Sequence, residues 1–557
     1  MRLFLFLLLL AAPAMAQMSE NDARLLYQQR EAERSLLWRA KEYDKAVALL
    51  QDMAANPALM AISEIRLNLR YNLACGYSLI GKKVEALVVL RQVIDEMPID
   101  PAKIERDSDF ANVRTMPLYA VLLNEDRKKW EARRSFWDSP SMRTPYKESL
   151  SEDEKVAGLV RFWSEAKYNF AWFDKLIDFD WDAKMVEFLP RVRAAQNTAE
   201  YYRVLMEFGA LLKDSHTGVS PPSAAWDLFR AWPPLSLDLV AGHVLVSKVY
   251  GDAARNPAGV QRGAELVTVE GMPVREYAAK FVMPLEGAST DQDRERRGLA
   301  FDLLGGKAGS QVRLGFIDET GRAFEAAAPR LSRAEWRKLD TGPQKPTFEF
   351  RMLDGGSEAY VALNSFGDGK IVGEFEKAWP EIRKAPALIL DVRENRGGNS
   401  GYGAEILSYL IKKGGDVAAT RTRLYRPAYR AWGQGETWDT RTWSIPAKPG
   451  EGFDGRMVLL IGPGTFSAAE DFASSFDILN AGTTIGEPTS GSTGQPLSFP
   501  MPGGGFGRVC TLQERYADGR EFVGVGIQPK VVVRPTVADF RAGRDAALEA
   551  ALKYLRR

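Results

Sequence analysis

The chain has 557 residues, of which 45% are hydrophobic and 26% are charged, as in an ordinary folded protein. One hydrophobic core does not grow to this size, so the length predicts about three or four domains. Lysine plus arginine (74) almost cancels aspartate plus glutamate (73), which argues against a protein that binds nucleic acid or a membrane surface.

The N-terminus has the pattern of a secretory signal peptide. Arg2 supplies a positive charge, Leu3 to Leu10 form a short apolar run, and Ala14-Met15-Ala16 gives a small-x-small cleavage pattern. We therefore expect a signal peptide over residues 1–16, cleaved after Ala16, and a periplasmic or secreted protein. No later stretch reaches the roughly 18 to 20 apolar residues that span a bilayer, so no integral membrane segment is expected.

Residues 17–135 have a helical pattern with almost no strand signal. The segment from Tyr43 to Leu50 is similar to that from Lys83 to Leu90, and the helix before the second copy carries Tyr71-Asn72-Leu73-Ala74-Cys75-Gly76-Tyr77. Small residues that let helices approach, with aromatic residues between them, resemble tetratricopeptide repeats. Such repeats would bind a protein partner, and the alternative is a generic helical bundle.

The two cysteines are predicted to be unpaired. Cys75 lies in an apolar helical pattern typical of core packing, and Cys510 lies in a segment assigned to a different domain. The sequence therefore predicts no disulfide.

Two segments in the middle of the chain differ in their predicted secondary structure. Residues 150–225 are helical and rich in tryptophan, and residues 230–335 read as short alternating strands. Within the second segment, the string from Gln261 to Gly271 resembles the "GD-x-I-x-x-I-N-G" stretch of a PDZ domain. PDZ domains bind an extended peptide by adding it to a sheet edge.

Residues 345–557 alternate strands and helices, which indicates a layered α/β domain. The runs 387–391 and 457–461 are continuously apolar, as expected of strands buried on both faces.

Three polar segments are candidates for the chemistry. The first runs from Gly462 to Glu470 and joins a predicted strand to a helix, with Ser467 at the helix start. A helix N-terminus can present a serine nucleophile and bind an oxyanion. The Ser-x-x-Glu spacing of Ser467 and Glu470 also fits a capping box, which is the structural alternative.

The other two segments are a glycine pair and a histidine. Gly397 and Gly398 follow a predicted buried strand, where they let a backbone amide face a ligand. His216 lies in Asp-Ser-His-Thr at the end of a helical segment beside polar residues, where we expect an imidazole that stays hydrated and near its ordinary pKa. The second histidine, His243, precedes a strand and is interpreted as structural.

Together these segments resemble the tail-specific (carboxy-terminal processing) serine protease family. "Leu-Asp-Val-Arg-x-Asn-x-Gly-Gly", "Thr-x-Ser-Ala-Ala-Glu" and Ile485-Gly486-Glu487-Pro488-Thr489-Ser490-Gly491 occur in the family's order, and Gly526-Ile527-Gln528-Pro529 is similar to its C-terminal end. The resemblance implies a multidomain α/β fold: a Clp/crotonase-like core over residues 345–557, a PDZ-like domain over 230–335 and a helical cap over 150–225.

The resemblance also implies site residues. Ser467 would be the nucleophile, and the amides of Ala468 and Gly398 (or Gly397) would form the oxyanion hole. One branch of the family takes its base from a lysine, but Ser492 stands at that position, and a serine is no base at neutral pH.

The tricorn-like, interphotoreceptor-retinoid-binding-protein-like branch is closer to this chain, because it uses a Ser-His pair that matches Ser215 and His216. It implies that His216 is the base. Valine occupies the positions where that branch carries an orienting glutamate, and Glu521 is the substitute we predict.

The sequence therefore predicts a secreted serine endopeptidase acting on unstructured or C-terminal segments of polypeptides. The chain has no clustered histidines or cysteines, so no metal and no cofactor are expected. Two alternatives remain: a catalytically inactive peptide-binding protein that retains the fold, and a crotonase-like acyl-CoA enzyme, which export makes less suitable because coenzyme A is cytoplasmic.

Overall fold

The computed structural model describes residues 18–251, 259–339, 342, 345–353 and 356–556. The chain divides into two compact units after Ser139. The predicted signal peptide, residues 1–16, lies outside the described residues. None of the helices that the structure describes is long and apolar enough to cross a bilayer.

The N-terminal unit is built from helices. They are α1 (Glu20–Arg39), α2 (Tyr43–Ala55), α3 (Pro57–Ala61), α4 (Ser63–Leu79), α5 (Lys83–Glu96), α6 (Pro101–Arg106) and α7 (Pro117–Trp137). Ala46 of α2 and Ala86 of α5 are fully buried against α4. A Cβ atom on Gly76 of α4 would lie 2.6 Å from the side chain of Val47, so only glycine permits this helix approach. The close packing fits the repeat interpretation, which stays a prediction.

The second unit contains helices and four sheets. Its helices are α8 (Glu152–Asn169), α9 (Trp181–Ala194), α10 (Thr198–Ala210), α11 (Trp226–Phe229), α12 (Val274–Phe281), α13 (Asp291–Arg296), α14 (Arg333–Trp336), α15 (Lys370–Ile382), α16 (Ser400–Leu410), α17 (Pro427–Ala431), α18 (Ala468–Ile478), α19 (Val537–Ala542) and α20 (Ala546–Leu555).

The strands of this unit follow the same chain order. They are β1 (Gly218–Ser220), β2 (Leu235–Val240), β3 (His243–Val249), β4 (Glu265–Val269), β5 (Met272–Pro273), β6 (Gln311–Ile317), β7 (Ala323–Pro329), β8 (Phe348–Met352), β9 (Glu358–Leu363), β10 (Ala387–Asp391), β11 (Gly415–Leu424), β12 (Thr437–Ile445), β13 (Arg456–Ile461), β14 (Thr483–Gly486), β15 (Pro496–Pro500), β16 (Phe506–Cys510), β17 (Leu512–Tyr516) and β18 (Val531–Val532).

The central sheet has the order β18-β14-β13-β10-β9-β8 and is parallel except for β8. Both predicted apolar strands, β10 and β13, lie in its middle. Leu388 and Leu390 of β10 pack on the side of α18, and Ile389 packs on the opposite side with α20. The strands are thus buried on both faces, which is why they read as continuous apolar runs.

Three smaller antiparallel sheets accompany the central one, with orders β1-β16-β15, β12-β11-β17 and β2-β3-β4-β6-β7. The last sheet has its own core, and His243 there pairs with Glu265 at the surface, 2.7 Å away. Helices α8 to α10 share a core with one face of the central sheet, where Phe162 and Phe208 are fully buried. The assignment of 150–225 as a cap and of 230–335 as PDZ-like stays a prediction.

Candidate active site

The candidate site forms at one edge of the central sheet. Strands β10 and β13 are parallel neighbours, so their carboxyl ends meet at the same edge. The glycine pair follows β10 and Ser467 follows β13. A Cβ atom on Gly397 would lie only 2.6 Å from Cβ of Ser467, which shows how closely the two turns approach.

Ser467 has a strained backbone at the start of α18. Its φ of 57° and ψ of −129° are values that residues other than glycine rarely adopt. Its hydroxyl makes no capping bond and instead lies 2.9 Å from Nε2 of His216. The capping-box alternative for Ser467 and Glu470 is therefore wrong, because the side chain of the cap residue points to the imidazole.

The segment that carries His216 is held between α10 and β1. The guanidinium of Arg508, on the neighbouring strand β16, donates to the carbonyl oxygens of His216 (2.9 Å) and Ser215 (3.1 Å). On the other side, the carboxylate of Asp214 accepts the backbone N–H of His216 at 3.1 Å and the hydroxyl of Thr217 at 2.6 Å. These bonds fix the main chain from which the imidazole projects.

The imidazole of His216 is almost entirely enclosed, with 3% of the residue exposed, so the prediction of a hydrated imidazole with an ordinary pKa is wrong. It stacks on the ring of Phe466 at a centroid distance of 4.6 Å. Burial lowers the pKa of His216 to about 3, and the nearby guanidinium groups of Arg508 and Arg297 act in the same direction. The ring is therefore neutral at pH 7, the state in which it can accept a proton.

The other ring nitrogen of His216 contacts Ser492, a residue to which we assigned no role from the sequence. Nδ1 of His216 lies 2.9 Å from the hydroxyl of Ser492, which is fully buried. The backbone of Ser492 also contacts the nucleophile candidate, because the N–H of Ser467 donates to its carbonyl oxygen at 3.0 Å.

Glu470 supports the loop that carries Ser492. Its buried carboxyl accepts the N–H of Ser492 (2.8 Å), the N–H of Gly491 (2.7 Å) and the hydroxyl of Thr489 (2.5 Å). Burial raises the pKa of Glu470 to about 8, and these three hydrogen bonds oppose that shift. The glutamate three residues after Ser467 thus anchors a loop and is not a cap partner.

Two residues that we predicted for the site make no hydrogen bond to the imidazole of His216 or to the hydroxyl of Ser467. The hydroxyl of Ser215 donates to Asp293 at 2.7 Å, and Asp293 pairs with Arg297, so Ser215 belongs to a buried network beside the histidine. The carboxylate of Glu521 pairs with Lys175 at 3.1 Å on a half-exposed surface. The structure does not bring Glu521 to His216, because Ser492 occupies the position at Nδ1.

The backbone amides of Gly398 and Ala468 are the predicted donors to an oxyanion. The N–H of Gly397 donates to the side chain of Asn395 at 2.8 Å and is therefore occupied. Within the described part of the chain, neither Gly398 nor Ala468 donates its N–H to an acceptor. Of the two glycines, Gly398 is the better candidate, and its role stays a prediction.

The polar residues before the glycine pair stabilise the structure around it. Arg393 pairs with Asp391 (2.6 Å) at the end of β10 and with Asp545 (2.7 Å), the N-cap of α20. Asn395 donates from its amide to the carbonyl of Leu363 at 2.8 Å and accepts the N–H of Gly397. These contacts explain why the aspartate, arginine and asparagine stand at fixed offsets from the glycines.

One group of side chains among the described residues has atoms close enough to ligate a metal. Sγ of Cys75 and carboxylate oxygens of Asp107 and Asp109 lie within 4.8 Å of one another in the N-terminal unit. Burial and the neighbouring aspartates raise the pKa of the Cys75 thiol, which favours the protonated form over the thiolate that metals bind. Asp107 already accepts the hydroxyl of Tyr71 at 2.8 Å. We assign no metal to this group.

Comparison with known proteins identifies relatives of this chain. Residues 357–533 match the model of peptidase family S41. A tricorn protease homolog of Streptomyces coelicolor is 24% identical over 413 residues, which are 69% of this chain and 31% of the relative. The chloroplastic C-terminal processing peptidase of Tetradesmus obliquus is 24% identical over 290 residues, covering 50% of this chain and 54% of the relative.

The chain therefore spans only about a third and about half of the two curated relatives, 31% and 54% of their lengths. Among solved structures, mature CPAF superposes with a TM-score of 0.55 at 14% identity, over 72% of this chain and 96% of the other. The same protein complexed with lactacystin gives 0.55 at 15% identity. At such identity the likeness shows the fold alone.

We did not predict Ser492, Glu470 or Arg508 as parts of this site. For Ser492 a signal existed, because it occupies the position of the lysine base in one branch of the family. Glu470 was visible only as the end of a helix-cap pattern. Arg508 acts on backbone carbonyls that are almost 300 residues earlier in the chain, so only the pairing of β1 with β16 reveals it.

Proposed function

We propose that this protein is a family S41 serine endopeptidase that hydrolyses peptide bonds in unstructured or C-terminal segments of polypeptides outside the cytoplasm. The observation that carries the proposal is the 2.9 Å contact between Nε2 of His216 and the hydroxyl of Ser467, residues 251 positions apart. That distance is within hydrogen-bond reach of a base and the nucleophile that it activates.

In the proposed reaction, Oγ of Ser467 attacks the scissile carbonyl carbon while Nε2 of His216 takes the hydroxyl proton. The carbonyl oxygen becomes an oxyanion, and the amides of Gly398 and Ala468 donate to it. The C–N bond then breaks as the imidazolium returns the proton to the leaving amine. Water, deprotonated by the same nitrogen, hydrolyses the ester on Ser467 and regenerates the hydroxyl.

Two further properties support this function. Ser467 is partly exposed, whereas the imidazole beside it is enclosed, so a substrate can reach the nucleophile while the base stays shielded from water. The strained backbone at Ser467 is the second, since unfavourable φ and ψ values concentrate at active sites.

The accessory regions fit a protease that handles extended chains. We propose that the sheet formed by β2, β3, β4, β6 and β7 is PDZ-like and holds a peptide segment of the substrate at a sheet edge. The N-terminal helices would act as tetratricopeptide-like repeats and bind a protein partner. The signal sequence over residues 1–16 would direct the protein to the periplasm or outside the cell.

A serine-directed fluorophosphonate probe tests the function. We expect the purified chain to be labelled, and Ser467→Ala to abolish the labelling. His216→Ala should lower the rate at least 100-fold, because the hydroxyl then lacks its base. Ser474→Ala is the matched control, since this buried serine of the same helix donates only to the carbonyl of Asp471. We expect the rate of hydrolysis of unfolded casein to decrease in the same order as labelling, from the parent chain to His216→Ala to Ser467→Ala.

The alternative is an inactive peptide-binding protein with the protease fold. One observation favours it: among the described residues, no carboxylate contacts the imidazole of His216, whose Nδ1 faces a hydroxyl. This alternative expects peptide binding without labelling of Ser467. Labelling that disappears in Ser467→Ala would exclude it.

A further inference from the structure

The hydroxyl of Ser492 occupies the place where a serine peptidase usually has a carboxylate. We propose that Ser492 is the positioning residue of this site, which accepts the Nδ1 proton of His216 and thereby holds Nε2 free to act on Ser467. The inference rests on the proposed peptidase function and adds to it a neutral third member of the catalytic group.

The hydrogen-bond roles follow from the two contacts of the ring. A neutral imidazole carries one proton, so one ring nitrogen donates and the other accepts. For His216 to take the proton of Ser467, Nε2 has to be the acceptor and Nδ1 the donor. The oxygen of Ser492, 2.9 Å from Nδ1, is the acceptor that this tautomer requires. A wrong tautomer is costly: in a well-studied triad it lowers kcat by about 10^4.

Ser492 is held rigidly enough for this task. Its N–H donates to the carboxyl of Glu470 at 2.8 Å, and its carbonyl accepts the N–H of Ser467 at 3.0 Å. One residue thus contacts the backbone of the nucleophile candidate and the ring of the base. Displacing it would move both groups relative to each other.

The charged groups around His216 determine how the neutral hydroxyl of Ser492 affects the pH dependence of activity. The guanidinium of Arg508 donates to the backbone carbonyl of His216, and that of Arg297 lies 5.3 Å from the centroid of the Phe466 ring on which the imidazole stacks. Neither positive charge favours an imidazolium. The carboxylates nearby are engaged elsewhere: Asp214 with the backbone N–H of His216, Asp293 with Ser215 and Arg297. Glu470 binds the backbone of Ser492, not the ring.

A hydroxyl therefore orients the imidazole without a negative charge that would stabilise its protonated form. The burial that lowers the pKa of His216 to about 3 acts unopposed. The acid limb of kcat/KM should consequently lie well below pH 6.5, the ordinary pKa of histidine. A carboxylate at position 492 would stabilise the imidazolium, so on acidification that site should lose its activity at a higher pH than the site with Ser492.

The kinetic test compares kcat/KM against pH for the full chain and for Ser492→Ala, Ser492→Thr and Ser492→Asp, with unfolded casein as substrate. Ser492→Ala should lower kcat at least 10-fold with little change in KM, and Ser492→Thr should retain activity because it keeps a hydroxyl. Ser492→Asp should raise the acid-limb pKa by at least one unit. Ser490→Ala is the control: Ser490 lies in the same loop as Ser492, and its hydroxyl donates to the backbone carbonyl of Pro463. This variant should leave the pH profile unchanged.

A second test does not need turnover. The chain has two histidines, so His243→Gln leaves His216 as the single histidine for 15N labelling and NMR. At pH 7 we expect the proton on Nδ1, and in Ser492→Ala a shift of the population toward the form protonated on Nε2. This measurement decides the proposal even where Ser492→Asp does not fold.

The outcomes separate the two proposals. An Nε2-protonated ring in the parent chain, or an Ala variant with unchanged tautomer and pH profile, would overturn the role of Ser492 and leave the peptidase function standing. Absence of fluorophosphonate labelling in the parent chain would overturn the peptidase function, whatever tautomer the ring adopts.

Discussion

Glu470 and Ser492 are joined by a hydrogen bond of 2.8 Å from the N–H of Ser492 to Oε2 of the buried carboxyl. Through it, a side chain that touches neither His216 nor the hydroxyl of Ser467 fixes the loop behind the imidazole. Replacement by alanine leaves the amides of Ser492 and Gly491 buried without acceptors, at a cost of about 1–3 kcal/mol each.

We therefore expect Glu470→Ala to lower both the Tm and the rate of fluorophosphonate labelling, the latter by at least 10-fold. Glu470→Gln should also slow labelling, because its amide can turn an N–H group toward the N–H of Ser492. Glu381→Gln, at an exposed position of α15, is the matched control and should leave both quantities unchanged. Full labelling in Glu470→Ala would contradict the anchoring role.

Gly397 is predicted to tolerate no side chain. Its φ is +92°, and a Cβ atom would lie 2.6 Å from Cβ of Ser467 and 2.9 Å from the carbonyl oxygen of Phe466. Alanine would have to push the nucleophile away from His216, so Gly397→Ala should reduce labelling about 100-fold or more. In Gly373→Ala, a helical position with open space around it, labelling should be unchanged and the Tm equal or higher.

How far the sequence predicts this protein depends on the range of the interactions. The strands at 387–391 and 457–461 follow from local patterns, and the structure confirms both. The close approach of His216 to Ser467 could be expected only from the family resemblance, since the two are 251 residues apart. The partner of Nδ1 was not predictable in this way, because the loop of Ser492 is fixed by tertiary contacts from Glu470.

The position of Glu521 shows the limit of reasoning from strand alternation. We predicted that Glu521 shares a strand face with the valines at the aligned positions. The structure instead shows it in a stretch without strand structure, where its carboxylate pairs with Lys175 and Arg515. Exposed ion pairs of this kind contribute about 0–1 kcal/mol.

Glu521→Gln should therefore change kcat/KM less than twofold and leave the acid limb of the pH profile in place. A loss as large as that expected for Ser492→Ala would show that Glu521 moves to the imidazole when substrate binds. Both variants should be measured with the same casein substrate, so that their effects on kcat and KM are directly comparable.

The lowered pKa of His216 also predicts how stability depends on pH. In the unfolded chain this histidine titrates near pH 6.5, whereas in the folded chain burial lowers its pKa to about 3. Between these values the unfolded state binds the additional proton, so the free energy of unfolding decreases as the pH falls from about 6.5 toward 3. For one group the slope approaches about 1.4 kcal/mol per pH unit.

Chemical unfolding of the parent chain and of His216→Gln between pH 7 and pH 4 isolates this contribution, because all other titrating groups are shared. The stability difference between the two proteins should shift in favour of the variant as the pH falls. A constant difference between the parent chain and His216→Gln would mean that the imidazole is protonated as easily inside the fold as in water, and the enclosed, neutral base proposed here would then be wrong.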